Sequence, residues 1–195
     1  MNLPLTIPNV IPKGYQDALE ADLTARTFSW LYVDDVTYNG FGCNGGLVHP
    51  AFDFGNPPSD YMQFIKPIIY SIEEASGIPI KQLLRIRIGF LTQRFDEGYE
   101  HNAPHVDFHQ SHYTACYYVN DSDGDTLVFD KKLDDVGVDI TEDKLYNYTR
   151  DTKFNVVARC APRKGTVFIM DGKSFHASTN PKDSKRRLVV TINWI

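Results

Sequence analysis

The sequence predicts a mainly β fold of the sandwich or jelly-roll kind, with flanking helices confined to its N-terminal part. Three observations carry this. From Leu83 onward, short strand-like segments recur between turns every eight to twelve residues. Extended helical periodicity appears only before residue 80. Aromatic residues make up 13% of the chain, which favours pleated, half-buried surfaces. With 195 residues, 42% of them hydrophobic, a single domain spanning 1–195 is expected. Residues 1–80 form its helical and strand support, and 83–195 its jelly-roll core.

Pro4, Pro8 and Pro12 make the first fourteen residues an extended arm. Gln16 to Arg26 places Ala18, Leu19 and Leu23 on one helical face. Phe28 to Val36 reads as a strand with Phe28, Trp30 and Tyr32 on one side. Asn39 to Gly46 holds four glycines in eight residues and is a loop or flap, since no phosphate-binding signature accompanies it. His49 sits in the loop that follows. Ser59-Asp60 is placed to cap a helix to Ser76, kinked or split at Pro67 and ended by Gly77 and Pro79.

Leu84 to Phe90 alternates cleanly, with Leu84, Ile86, Ile88 and Phe90 on the packed face and Arg85 and Arg87 opposite. Tyr113 to Asn120 is a further strand. Asp123-Gly124 reads as a tight hairpin turn into Thr126–Phe129 rather than a calcium loop, because the loop's sixth and twelfth positions are Thr126 and Lys132. Residues 134–150 read as an acidic insertion with a short helix near Glu142–Leu145. Phe154–Ala158 and Thr166–Met170 complete the strands before the C-terminal run Leu188–Trp194.

The chemistry centres on Pro104-His105-Val106-Asp107-Phe108. Strand alternation points His105 and Asp107 the same way, roughly 6–7 Å apart, so both can lean onto one cation. A third ligand is needed, and His176, following the apolar run 166–170, supplies it. Two histidines and one carboxylate with open positions form the facial triad that suits non-haem Fe(II). His101, His109 and His112 read as loop or surface groups, since on a strand His109 would lie about 13 Å from His105. Lys185-Arg186-Arg187 opens the last strand, and a cation there can clamp a carboxylate beside the metal.

Together, His105-Val106-Asp107, the distal His176, the basic residues nine to eleven positions later and the strand Thr114–Asn120 resemble the 2-oxoglutarate- and Fe(II)-dependent dioxygenases, in their prolyl 4-hydroxylase-like branch. The resemblance covers roughly residues 83–195. It implies a double-stranded β-helix, a jelly roll of cupin type. It also implies Fe(II) at His105, Asp107 and His176, 2-oxoglutarate as cosubstrate, O₂ as co-reactant, and room for ascorbate as a reductant. Arg186 and Arg187 face opposite sides of their strand. Arg187 matches the family's Arg-x-x-x-Thr/Ser pattern and is favoured as the carboxylate clamp, with Thr191 on the same face. Tyr118 resembles the tyrosine that reaches the same carboxylate, and Tyr99 is a candidate polar group over the cosubstrate.

The implied reaction hydroxylates an unactivated C–H, such as that of a peptidyl proline, with release of succinate and CO₂. A free amino acid, a small metabolite or a nucleic-acid base remains an alternative substrate. A cupin-type isomerase or a non-enzymatic β-sandwich binding module is the alternative of another class. The net charge of −5 argues against general nucleic-acid binding, although residues 150–187 hold ten Lys/Arg against three Asp. The three cysteines, Cys43, Cys116 and Cys160, lack paired spacing and suit free thiols in a reducing compartment. Neither a leader peptide nor a membrane span is legible, so the expected setting is cytoplasmic, in a bacterial or bacteriophage-infected cell.

Overall fold

The computed structural model describes residues 2–37, 45–94, 100–137 and 139–195. In chain order the elements are β1 (Leu5–Ile7), α1 (Lys13–Leu23), β2 (Leu31–Val33), β3 (Gly46–Asp53), α2 (Met62–Ser76), β4 (Leu83–Thr92), β5 (Tyr113–Tyr118), β6 (Thr126–Lys132), α3 (Glu142–Asp151), β7 (Val156–Cys160), β8 (Val167–Asp171), β9 (Ser174–Ser178) and β10 (Arg186–Trp194). Seven strands form one sheet in the order β1-β8-β5-β10-β4-β3-β2, and three form a second in the order β7-β6-β9. All recorded pairings are antiparallel. This is the jelly-roll architecture expected for the chain.

Period-two alternation divides the large sheet into two environments. Ile86 and Ile88 of β4, Ala115 and Tyr117 of β5, and Val190, Ile192 and Trp194 of β10 face the helices. There they join Leu19 and Leu23 of α1 and Ile65, Ile68 and Ile72 of α2 in the main core. The opposite face carries Cys116, Tyr118, Phe168, Met170 and Val189, which pack against Val128 of the small sheet. A third cluster lies behind the small sheet, where Leu127, Phe129, Phe175 and Ala177 receive Leu145 and Tyr148 of α3. A cavity lined by residues of both sheets lies between them.

Several local expectations are corrected. α1 starts three residues earlier, directly after Pro12, whose fixed φ suits a helix entry. The segment 28–36 forms only a three-residue edge strand, with Tyr32 69% exposed. Phe28 and Trp30 leave the strand path to pack with His49, Tyr61 and Phe90. His49 lies on β3, not in a loop. Pro50 argues locally against a strand there, and it is accommodated at a register shift between Pro50 and Phe52.

α2 is one continuous helix through Pro67, and neither Ser59 nor Asp60 caps it. Burial of Ile65, Ile68, Ile69 and Ile72 along one face outweighs the backbone hydrogen bond that proline removes. Gly77 ends it in the left-handed conformation (φ 68°), as expected. Asp123-Gly124 does not join a hairpin, because β5 and β6 belong to different sheets. The Asp123 carboxylate instead accepts backbone N–H bonds from Lys182, Asp183 and Ser184. α3 is longer than the expected turn, running to Asp151. His112 lies in the loop before β5, one of its two expected placements, but is buried there, with its Nδ1 on the Gln110 carbonyl and its ring against Phe108.

Candidate active site

His105 and His176 are joined through their backbones before their rings meet. Each donates its N–H to the other's carbonyl at 3.0 Å, an isolated antiparallel bridge. The 105–107 segment is therefore not a full strand but a single bridge onto β9. His176 belongs to β9 in the small sheet, one turn beyond the strand expected to deliver it. The rings come to 4.5 Å between centroids. Asp107 completes the group, with one ligand atom from each residue lying within 4.8 Å of the others.

The surroundings prepare these atoms for a cation. His105 Nδ1 lies 3.0 Å from the Ala103 carbonyl, and His176 Nδ1 lies 3.1 Å from the Ser174 carbonyl. Both Nδ1 atoms are thereby fixed as donors, which leaves Nε2 of each ring as the nitrogen turned to a metal. His176 Nε2 faces Asp107 Oδ2 at 3.6 Å. Arg85 Nη2 donates to Asp107 Oδ1, and Asn193 Nδ2 donates to Oδ2 at 2.9 Å. Thr114 Oγ1 lies 3.3 Å from the same oxygen. Burial alone would raise the Asp107 pKa, but Arg85, the two histidines and Asn193 outweigh it and hold the carboxyl well below its usual range. Burial, helped by His176, pushes His105 down to about 4 against the opposing pull of Asp107, so its imidazole is neutral near pH 7. A carboxylate and two imidazoles, each anchored by its own hydrogen bonds, fit a divalent first-row metal.

Arg187 lies farther along the same cavity and is 3% exposed. Its Nε donates to the Gly124 carbonyl and its Nη2 to Thr126 Oγ1, each at 2.8 Å. Among the described residues no carboxylate pairs with it. Arg186 points the other way, 3.4 Å from Glu20. Thr191 lines the cavity, as do Cys116, Thr126, Val189 and the ligand triad. Tyr118 stands one side chain back. It is fully buried, its hydroxyl donates to Thr126 Oγ1 at 2.8 Å, and the Arg187 guanidinium lies 5.8 Å from its ring centroid. Tyr99 lies outside the described residues. Burial pushes the Cys116 thiol up to about 11, so it remains a neutral wall of the cavity.

A second cavity of about 540 Å³ lies beside His105 and Asp107. Arg85 and Arg87 line one side, and Glu142, Leu145, Tyr146 and Thr149 of α3 line another. Those four residues follow one helical face. Sequence reasoning missed Arg85, Arg87, Thr114, Thr126 and Asn193. The two arginines did carry a signal, since both sit on the strand face opposite the aliphatic one.

Solved structures with this arrangement of strands are numerous. The fold is that of the 2-oxoglutarate/Fe(II) oxygenases. A 2OG-Fe(II) oxygenase-family oxidoreductase from Burkholderia pseudomallei superposes with a TM-score of 0.62 at 13% identity, over 97% of this chain and 84% of that one. A Trichoplax adhaerens prolyl hydroxylase, in complex with a hypoxia-inducible-factor peptide fragment, gives 0.59 at 10% identity over 98% and 82%. HygX from Streptomyces hygroscopicus, with nickel and 2-oxoglutarate bound, gives 0.55 at 13% identity over 97% and 81%. No protein-family model and no curated protein sequence matches the chain. No helix among the described residues is long and apolar enough to cross a membrane.

Proposed function

We propose that this chain is a 2-oxoglutarate- and Fe(II)-dependent dioxygenase that hydroxylates an unactivated C–H, with release of succinate and CO₂. The observation that carries the reading is Arg187. A buried guanidinium without a carboxylate partner among the described residues is costly. It lines the same cavity as His105, Asp107 and His176. A ligand that chelates a metal at one end and carries a carboxylate at the other answers both features, and 2-oxoglutarate has that form.

In this reading His105, Asp107 and His176 hold the iron. When bound, Fe(II) supplies the O₂ chemistry that couples cosubstrate decarboxylation to C–H hydroxylation. The chain's own residues position and protect. Arg85 and Asn193 fix the Asp107 carboxylate, and the Ala103 and Ser174 carbonyls fix the imidazoles. Arg187, with Thr191 and Tyr118 nearby, orients the cosubstrate's distal carboxylate. Leu91 and Val189 present apolar walls that keep water from the cosubstrate. The substrate C–H enters from the 540 Å³ cavity beside α3.

For the substrate, a peptidyl residue such as proline is favoured by the fold shared with a peptide-bound prolyl hydroxylase. A second reading, a free amino acid or other small polar metabolite, is favoured by the opposed charges of that cavity, with Arg85 and Arg87 facing Glu142 and Asp143. Anaerobic titration of Fe(II)-loaded protein with 2-oxoglutarate tests the core reading. A weak visible charge-transfer band is expected, and Arg187→Ala should need far more cosubstrate to develop it. No band in metal-loaded wild type would overturn the reading. Succinate release with proline-containing peptides, compared with free amino acids, then separates the two substrate classes.

A further inference from the structure

We infer that His112 is a positioning residue for the metal centre: its imidazole is a wedge that sets the segment carrying Asp107 against the segment carrying His176. The inference rests on the reading of His105, Asp107 and His176 as metal ligands. It concerns a buried imidazole that the proposed chemistry leaves idle. His112 is 5% exposed. Its Nδ1 lies 2.8 Å from the Gln110 carbonyl, and its Nε2 is buried with no hydrogen-bond partner among the described residues. A buried nitrogen left unpaired costs free energy. The ring is therefore kept for what its faces touch.

On one side it meets Phe108 edge to face, with ring centroids 5.5 Å apart. Phe108 directly follows Asp107, and its ring centroid lies 5.1 Å from the guanidinium carbon of Arg85, the side chain that pairs with Asp107. On the other side is Gly172. A methyl group on Gly172 would overlap Nε2, Cδ2 and Cε1 of the imidazole. Gly172 is not among the residues with positive φ, so the ring, and not the turn, requires glycine here. The Gly172 N–H also donates to the His112 carbonyl at 2.9 Å.

Gly172 stands at the corner where the chain leaves the large sheet for the small one, between the end of β8 at Asp171 and the start of β9 at Ser174. The corner is pinned, since Lys173 N–H donates to Asp171 Oδ1 at 3.0 Å and Leu133 N–H to the Lys173 carbonyl at 2.8 Å. Beyond it β9 alternates, sending Phe175 and Ala177 into the third cluster and His176 into the cavity. A displaced corner moves His176, and a displaced Phe108 moves Asp107. His112 touches both, so it fixes the gap that a metal must span.

The test is a double-mutant cycle on the full chain, read by calorimetric Mn(II) binding and by the visible ligand-field bands of Co(II)-loaded protein, with folding checked by circular dichroism. Gly172→Ala should weaken Mn(II) binding on the order of tenfold, the scale on which groups that orient metal ligands act, and should alter the Co(II) bands. His112→Ala, which removes the wedge, should weaken Mn(II) binding by about threefold to tenfold. In the His112→Ala background the Gly172 methyl has room, and adding Gly172→Ala should cost no more than about twofold. Should Gly172→Ala fail to fold, His112→Ala alone carries the expectation of weaker binding and altered bands.

Wild-type Mn(II) affinity and Co(II) bands in folded Gly172→Ala or His112→Ala would overturn the assignment. So would an equal penalty for the Gly172 methyl with and without the His112 ring. A wild-type protein that binds neither Mn(II) nor Co(II) would instead overturn the metal reading beneath it.

Discussion

Arg85 and Asp107 form an ion pair on the inner face of the large sheet, and the pair decides which carboxylate oxygen is left for a metal. Arg85 Nη2 holds Oδ1, while Oδ2 faces His176. With Arg85 present, Asp107 stays ionised at any ordinary pH. In Arg85→Gln the opposing effect of burial is left less compensated and the Asp107 pKa rises. Protons then compete with the metal. Mn(II) affinity in Arg85→Gln should fall more steeply than in wild type as pH drops from 7 to 5, which a titration followed by electron paramagnetic resonance reads directly. Parallel pH profiles would show that the pair does not control the ligand.

His105 gives the metal-free protein a second pH signature. Its folded pKa is depressed from 6.5 to about 4, chiefly by burial and secondly by His176. The unfolded chain therefore binds the proton first, and stability falls as pH drops from about 6.5 toward 4. Above that window the contribution is fully present. Urea midpoints of metal-free protein should decline across the window, and His105→Gln should flatten the decline.

Gly124 tests the seat of Arg187. A Cβ at this position would lie 2.7 Å from the Thr179 carbonyl oxygen and 3.0 Å from both Arg187 Cδ and the Pro181 nitrogen. Two of those neighbours are backbone and cannot easily move away. Gly124→Ala should shift the guanidinium and weaken 2-oxoglutarate binding by about tenfold, the loss of one charge-assisted hydrogen bond. Metal affinity should be unchanged, since the triad lies at the other end of the cavity.

Ile68 tests the support layer. It is fully buried on α2 within the main core. Ile68→Ala should destabilise the protein by about 2–5 kcal/mol in urea unfolding, through lost burial and the cavity left behind. The ratio of metal affinity to that of wild type should stay near one in whatever fraction remains folded.

The parts of this site that were legible in the sequence are those encoded by short-range rules. His105 and Asp107 stand two apart, His176 follows an apolar strand, and strand alternation separates Arg186 from Arg187. Arg186 does turn outward to Glu20, and Arg187 does turn into the cavity. The remaining residues meet only through long-range register. Asn193 sits beside Thr114 because β10 pairs with β5, and Arg85 sits on the other flank of Asn193 because β10 also pairs with β4. Thr126 arrives from the opposite sheet. No local pattern announces such neighbours, because each depends on how two distant strands align. β3 was missed for a local reason, since Pro50 contradicts the tertiary pairing that carries it.

The residues that line the cavity are divided between the two layers. Arg187 and Thr191 come from the seven-stranded sheet, His176 and Thr126 from the three-stranded one, and Asp107 from the connection tied to Arg85 and Asn193. In the proposed loaded state, a metal and a dicarboxylate held between these residues would act as rivets through the sandwich. Loading the site then becomes a structural event as well as a chemical one. Ligands that bind only the assembled pair of sheets shift the equilibrium away from any form in which the smaller sheet has lifted off. Filling the cavity should therefore shield the polypeptide from proteases along β6 and β9, far more than along the helix-backed strands β4 and β10.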